Sequence, residues 1–243
     1  MRDATQIVIV LDRSGSMEMV REATIESFNQ FMKSQKGLPG EASMYFVQFN
    51  TDYQVLFDKK IAEAPLLSYL TYQPNGSTAL YDAVGHTIDS IGHRLEAMPE
   101  SQRPNKVVFM VLTDGLENSS KRYSQQMIAE RIEHQRSKYG WDFVFLGANQ
   151  DAVLTARGLN IPQEAAMTFM AAPPQVRATM QAASAYVGGR RMGFTPKFSA
   201  EERAAAIGES YPGKSEEEEE KKGAGLFSWL RRPGKETTQA EKS

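Results

Sequence analysis

The sequence predicts an α/β protein with a doubly wound, mostly parallel central sheet flanked by helices. Four short runs, residues 7–11, 44–49, 107–112 and 143–146, are rich in Val, Ile and Phe, and three of them show little polar alternation. Strands buried on both faces have this composition. The segments between the runs carry apolar residues at helical spacing instead, and strands alternating with helices describe a layered α/β fold.

Each element has its own signal. Residues 7–11 form the first strand, which Asp12 ends. Ile25, Phe28 and Met32, at i, i+3 and i+7, mark the first helix. The run 44–49 leads through the turn Asn50-Thr51-Asp52 into a weaker strand at 53–57, the second arm of a hairpin. Leu80, Val84, Ile88, Ile91 and Leu95 form the stripe of a long amphipathic helix. After the strand 107–112, a third helix starts near Ser124, places Ile128, Ile132 and Tyr139 on one face, and stops at Gly140. The strand 143–146 follows, and a last one is expected near 167–170.

The core is therefore expected over residues 4–170, with 171–243 as a flexible, partly helical C-terminal extension. Past Pro173-Pro174 the Ala-rich stretch 175–187 reads as a helix that Gly188-Gly189 ends. Ser199 and Glu202 have the spacing of a capping box opening a helix at 200–207. Few large apolar residues follow, so no second core is expected. The acidic run 216–220 reads as a solvated spacer. The patch 226–230, followed by Arg231-Arg232, is either a short docking motif, a membrane-surface contact or plain tail.

Bulk composition narrows the function. Net charge is −2, which invites neither nucleic acid nor an anionic membrane. The chain has no cysteine, so disulfides, thiolate metal sites and Cys nucleophiles are excluded. No apolar run is long enough for stable membrane insertion. The first residues run directly into the first strand without the pattern of a secretory leader, and the expected location is cytoplasmic.

The chemistry lies in three segments. Asp12-Arg13-Ser14-Gly15-Ser16 follows the first strand, and the carboxyl ends of strands are where open α/β sheets bind ligands. Asp12, Ser14 and Ser16 are spaced by two, so an extended loop turns their side chains to one side. Asn75-Gly76-Ser77-Thr78 brings a Thr78 hydroxyl to the start of the long helix, where Asn75 and Ser77 are expected to shape the loop and cap the helix. Thr113-Asp114-Gly115 ends the strand 107–112. Two carboxylates and three hydroxyls suit a hard cation such as Mg²⁺, which takes roughly six oxygens and keeps some of them as water. If the three hydroxyls coordinate directly and Asp12 and Asp114 act through water, the ion keeps much of its charge and attracts an incoming carboxylate.

This set resembles the metal-ion-dependent adhesion site of von Willebrand factor A and integrin inserted domains, across roughly the first two-thirds of the chain. The resemblance implies an interaction module that holds Mg²⁺ or Mn²⁺ at Asp12, Ser14, Ser16, Thr78 and Asp114 and docks a partner protein's Asp or Glu. It points to the intracellular bacterial or phage type, whose relatives work beside AAA+ ATPases. A scaffold or adaptor subunit of such an assembly, with a purely structural metal, is the alternative.

Taken singly, Asp12 and Asp114 read as strand-end caps, and only the five residues together read as a site. Glu117, Asn118 and Asn149 fall at strand carboxyl ends as candidate rim residues that select partners. Asp82 reads as a surface helix residue, and His86, His93 and His134 as solvent-exposed. A haloacid-dehalogenase-type phosphatase needs a second Asp where Ser14 stands, so catalysis is not expected. No Gly-rich phosphate loop or nucleophile elbow occurs.

Overall fold

The structure is a computed structural model that describes residues 2–148 and 152–210. Its strands are β1 (Arg2–Asp12), β2 (Glu41–Phe49), β3 (Tyr53–Lys60), β4 (Pro104–Thr113), β5 (Asp142–Ala148) and β6 (Ala166–Phe169). They form one sheet in the order β3-β2-β1-β4-β5-β6. Every pair is parallel except β2–β3, the expected hairpin. From β1 the chain first builds outward to β2 and β3, then returns to β1's other side for β4, β5 and β6. The order therefore reverses between β1 and β4, which opens a crevice at their carboxyl ends.

The apolar runs fill the middle of the sheet. Ile7 to Leu11 of β1 and Val107 to Leu112 of β4 are all buried, as strands covered on both faces must be. The helices form two layers. In one, α1 (Arg21–Gly37) packs against α5 (Pro173–Arg191), and α5 against α6 (Ala200–Ile207). In the other, α2 (Leu80–Ala97) packs beside α3 (Gln125–Tyr139), and α3 beside α4 (Ala152–Gly158). The periodic residues Ile25, Phe28 and Met32 of α1, and Leu80, Val84, Ile88 and Ile91 of α2, are buried, and Leu95 is partly so. Ser124 caps α3 by accepting the Met127 amide, and left-handed Gly140 ends it, as expected. The short helix α4 has no counterpart in the expected elements.

The main departure concerns residues 171–210, which are packed onto the core and not detached from it. They belong to one compact unit with the core, which runs through Ser210. α5 starts at Pro173, where a missing amide costs nothing, and buries Val176, Met180, Ala183, Tyr186 and Val187. The helix continues through Gly188-Gly189 to Arg191. A Cβ on Gly188 would come within 3.1 Å of Leu38 Cδ1, so this glycine is a close-approach point against the end of α1 and does not stop the helix. The small residues that resembled a loose tail let α5 lie close to α1. The capping box at Ser199 and Glu202 is present in both directions, and α6 is tied to β6 by Met170 N–H donating to Ala206 O at 3.0 Å. The runs 216–220 and 226–230 lie outside the described residues, as does Asn149.

Candidate metal centre

The crevice between β1 and β4 gathers the three expected segments. Arg13, just past β1, donates its amide to Phe49 O at 2.7 Å, and its carbonyl accepts the Asn75 amide at 2.8 Å. The Gly15 amide donates to Gly76 O at 3.1 Å. These bonds bring residues 75–78 beside residues 12–16. Asn50, buried at the end of β2, holds Asn75 from the other side through its side-chain amide. Below them the buried Tyr72 hydroxyl donates to Asp12 O at 2.8 Å.

Four of the five residues form one hydrogen-bonded chain. Asp12 is fully buried; its Oδ1 accepts the Ser14 amide at 2.6 Å and its Oδ2 the Thr113 hydroxyl at 2.6 Å. Ser14 and Ser16 Oγ atoms lie 3.2 Å apart, and Ser16 Oγ donates to Asp114 Oδ1 at 2.7 Å. Thr78, the fifth, touches the next residue on: a Cβ on Gly115 would fall 2.8 Å from Thr78 Oγ1. Ser16 is exposed, whereas Asp12, Ser14, Thr78 and Asp114 are buried, so the group opens to solvent on one side.

Electrostatically this is a pocket of uncompensated negative charge. Burial pushes the Asp12 carboxyl up to about 6; hydrogen bonds from Thr113 and Ser14 oppose the rise, and Asp114 adds to it. Burial also raises Asp114, against its hydrogen bond from Ser16. Hydroxyl and amide groups surround both carboxylates, and among the described residues neither has an ion-pair partner. No group of three or more His, Cys, Asp or Glu converges anywhere among the described residues, so the donors here are two carboxylates and three neutral hydroxyls.

Of the three candidate rim residues, Glu117 and Asn118 lie among the described residues, and both bond to the chain at the start of α2. Glu117 Oε2 accepts the Tyr81 amide, and its Oε1 accepts the amides of Ser119 and Ser120. Asn118 Oδ1 accepts the Thr78 amide at 2.9 Å, while the Asn118 amide donates to Thr78 O at 3.0 Å. These groups position Thr78 and the first turn of α2, and Glu117 does the capping expected of Asn75 and Ser77. Asp82 is likewise no idle surface residue, for its carboxylate accepts the amides of Lys121, Arg122 and Tyr123, which holds it below the usual range despite desolvation. The loop after Asp114 is thereby fastened to the helix that begins at Thr78. His86, His93 and His134 are exposed as expected, with His86 stacked on Tyr53.

No periodicity or spacing announces Tyr72 or Asp82, because their partners lie 60 and about 40 residues away. Thr113 stood within a recognised segment, but its bond to Asp12 spans 101 residues.

Among solved structures, this chain is similar in fold to proximal thread matrix protein 1 from the mussel byssus, at 17% identity and a TM-score of 0.52, covering 77% of this chain and 47% of that one. It is similar to the pilus adhesin SpaC of Lactobacillus rhamnosus GG, in an open conformation, at 12% identity and a TM-score of 0.56, over 78% of this chain and 30% of that one. It is also similar to a D319A mutant of the PilB minor pilin of Streptococcus sanguinis, at 13% identity and a TM-score of 0.50, over 76% of this chain and 62% of that one. This chain thus spans less than half of the mussel protein and less than a third of SpaC. No curated protein matches it. Residues 6–172 match the family model for the von Willebrand factor type A domain, and the chain belongs to that family.

Proposed function

We propose that this chain is a divalent-cation-dependent protein-binding module, not an enzyme, and that Asp12, Ser14, Ser16, Thr78 and Asp114 hold Mg²⁺ or Mn²⁺. One observation carries the reading: loops from three separate stretches bring two buried, unpaired carboxylates together with three hydroxyls at the sheet's reversal point. The donor set fits a hard cation because every atom in it is oxygen. A cation there relieves the desolvation that drives Asp12 upward.

Both Asp12 oxygens are engaged by the Ser14 amide and the Thr113 hydroxyl, so this carboxylate supports the site from beneath. Ser14, Ser16 and Thr78 contribute no charge, and two carboxylates alone leave a bound ion electrophilic toward an outside oxygen. The opening beside Ser16 gives a partner's Asp or Glu its approach. Among the described residues no helix is long and apolar enough to cross a membrane.

Thermal melting tests this. Saturating Mg²⁺ is expected to raise the melting temperature by several degrees, since a ligand at about 100 times its Kd stabilises the native state by about 2.7 kcal/mol. Asp12→Ala should remove that rise. Thr78→Ala should keep the metal-free melting temperature while losing EDTA-sensitive capture of the partner from native lysate. Capture that persists in Thr78→Ala would favour a scaffold subunit of an AAA+-type assembly, and no melting shift at millimolar Mg²⁺ would end the proposal.

A further inference from the structure

The three most exposed large apolar side chains among the described residues are Leu70 at 86%, Met19 at 78% and Leu116 at 66%. Met19 and Leu116 follow closely on two of the segments that carry the site, and Leu70 stands in the turn that precedes the third, residues 75–78. Met19 sits in the 3-10 turn Gly15–Val20, whose Met17 and Val20 point into the core and leave Met19 outside. Leu70 stands in the turn where the Tyr72 amide donates back to Ser68 O, and the hydroxyl of that same Tyr72 holds Asp12 O. Arg21 fastens this turn beside Met19 by donating to Tyr69 O and Tyr72 O, with its guanidinium over the half-exposed Tyr69 ring at 5.0 Å. Leu116 follows Asp114 in the chain, between Gly115, which abuts Thr78, and Asn118, which is bonded to Thr78 in both directions.

Apolar side chains left in water this fully, on segments bonded to one polar site, point to an interaction surface. Met and aromatic residues are enriched at the desolvated centres of such surfaces. The polar centre here fixes the chemistry of the occupant. We infer that the partner presents a segment in which one Asp or Glu stands between large apolar side chains, the acid entering the site while its neighbours cover Met19, Tyr69 and Leu70 on one side and Leu116 on the other. The inference rests on the proposed function for the carboxylate and adds the flanking requirement.

Panning a random dodecapeptide library against the immobilised full chain in Mg²⁺, with elution by EDTA, reads this requirement directly. The eluted peptides are expected to share an acidic residue with Leu, Ile, Met, Phe or Trp within two positions on both sides. A chain carrying Met19→Ser, Leu70→Ser and Leu116→Ser should keep the full Mg²⁺ melting shift yet bind the best peptide about thirtyfold or more weakly. Polar-flanked acidic peptides, unchanged affinity in the triple variant, or a normal melting shift with no EDTA-eluted peptide would each overturn the inference. A dimer of the full chain that the triple substitution dissolves would assign the three side chains to a second copy and overturn it too. Loss of the melting shift in the unsubstituted chain fails the metal reading instead, which separates the two.

Discussion

Thr78 owes its place to Gly115. The Thr78 hydroxyl occupies the space that a side chain at position 115 would fill, and this contact sets how close the loop carrying Asp114 comes to the start of α2. An added methyl cannot be absorbed there by a flexible neighbour, because the Asn118 pair fixes the Thr78 backbone. Gly115→Ala is therefore expected to push the two loops apart and weaken Mg²⁺ affinity tenfold or more, read as the Mg²⁺ concentration that half-saturates the melting shift. The metal-free fold should lose about 1–3 kcal/mol, the ordinary cost of overpacking. An unchanged half-saturation point would show that Thr78 is free to adjust and that the contact does not set the site.

Between elements, the decisive contact is the one holding α5 to α1. Arg191, at the end of α5, is buried and donates to Gln35 O at 2.5 Å, to Gly40 O at 3.2 Å, and to the carbonyls of Leu38 and Pro39. These carbonyls belong to the last turn of α1 and the chain leaving it, which lack partners within the helix. One guanidinium thus caps α1 from a distance of over 150 residues, while buried Gln35 reaches back to Ser184 O. Removing it takes the charged donor from all four carbonyls and leaves Gln35 O with only the long Leu38 amide bond at 3.4 Å. Arg191→Ala should cost about 2–4 kcal/mol in urea unfolding. Arg191→Lys should recover only part of this, since a single ammonium cannot span the same fork of acceptors. A loss under about 1 kcal/mol in Arg191→Ala would mean that water replaces the cap and that apolar packing alone holds α5.

At the scale of the molecule, the family match ends at residue 172 but the packing does not. Val176, Met180, Ala183 and Val187 of α5 cover the layer formed by α1 and the central strands, and α6 closes over β6. Buried aliphatic side chains of this size contribute about 1.5–3 kcal/mol each for Val and Met, against a typical net stability of about 5–15 kcal/mol. A chain ending at residue 172 is expected to show no cooperative melt. One ending at residue 210, which keeps α5 and α6, should melt cooperatively and respond to Mg²⁺. A cooperative melt from the shorter chain would show that α5 is an accessory to the core and not part of it.

The sequence by itself determined the six strands and the order of the main helices, and it singled out the five residues proposed for the site. All of these are written in short windows: a run of Val and Ile, a stripe at helical spacing, or a hydroxyl two residues from a carboxylate. Only the tertiary structure decided that the Ala-rich stretch after Pro174 belongs to the core, because Ala and Gly look weakly apolar in a window and pack tightly once a partner helix is supplied. It alone decided that Glu117 and Asp82 fasten loops and that Met19, Leu70 and Leu116 are left exposed. Hydrogen-bond partners and surface neighbours separated by tens of residues are set by how the chain closes on itself, and closure leaves no mark on local spacing.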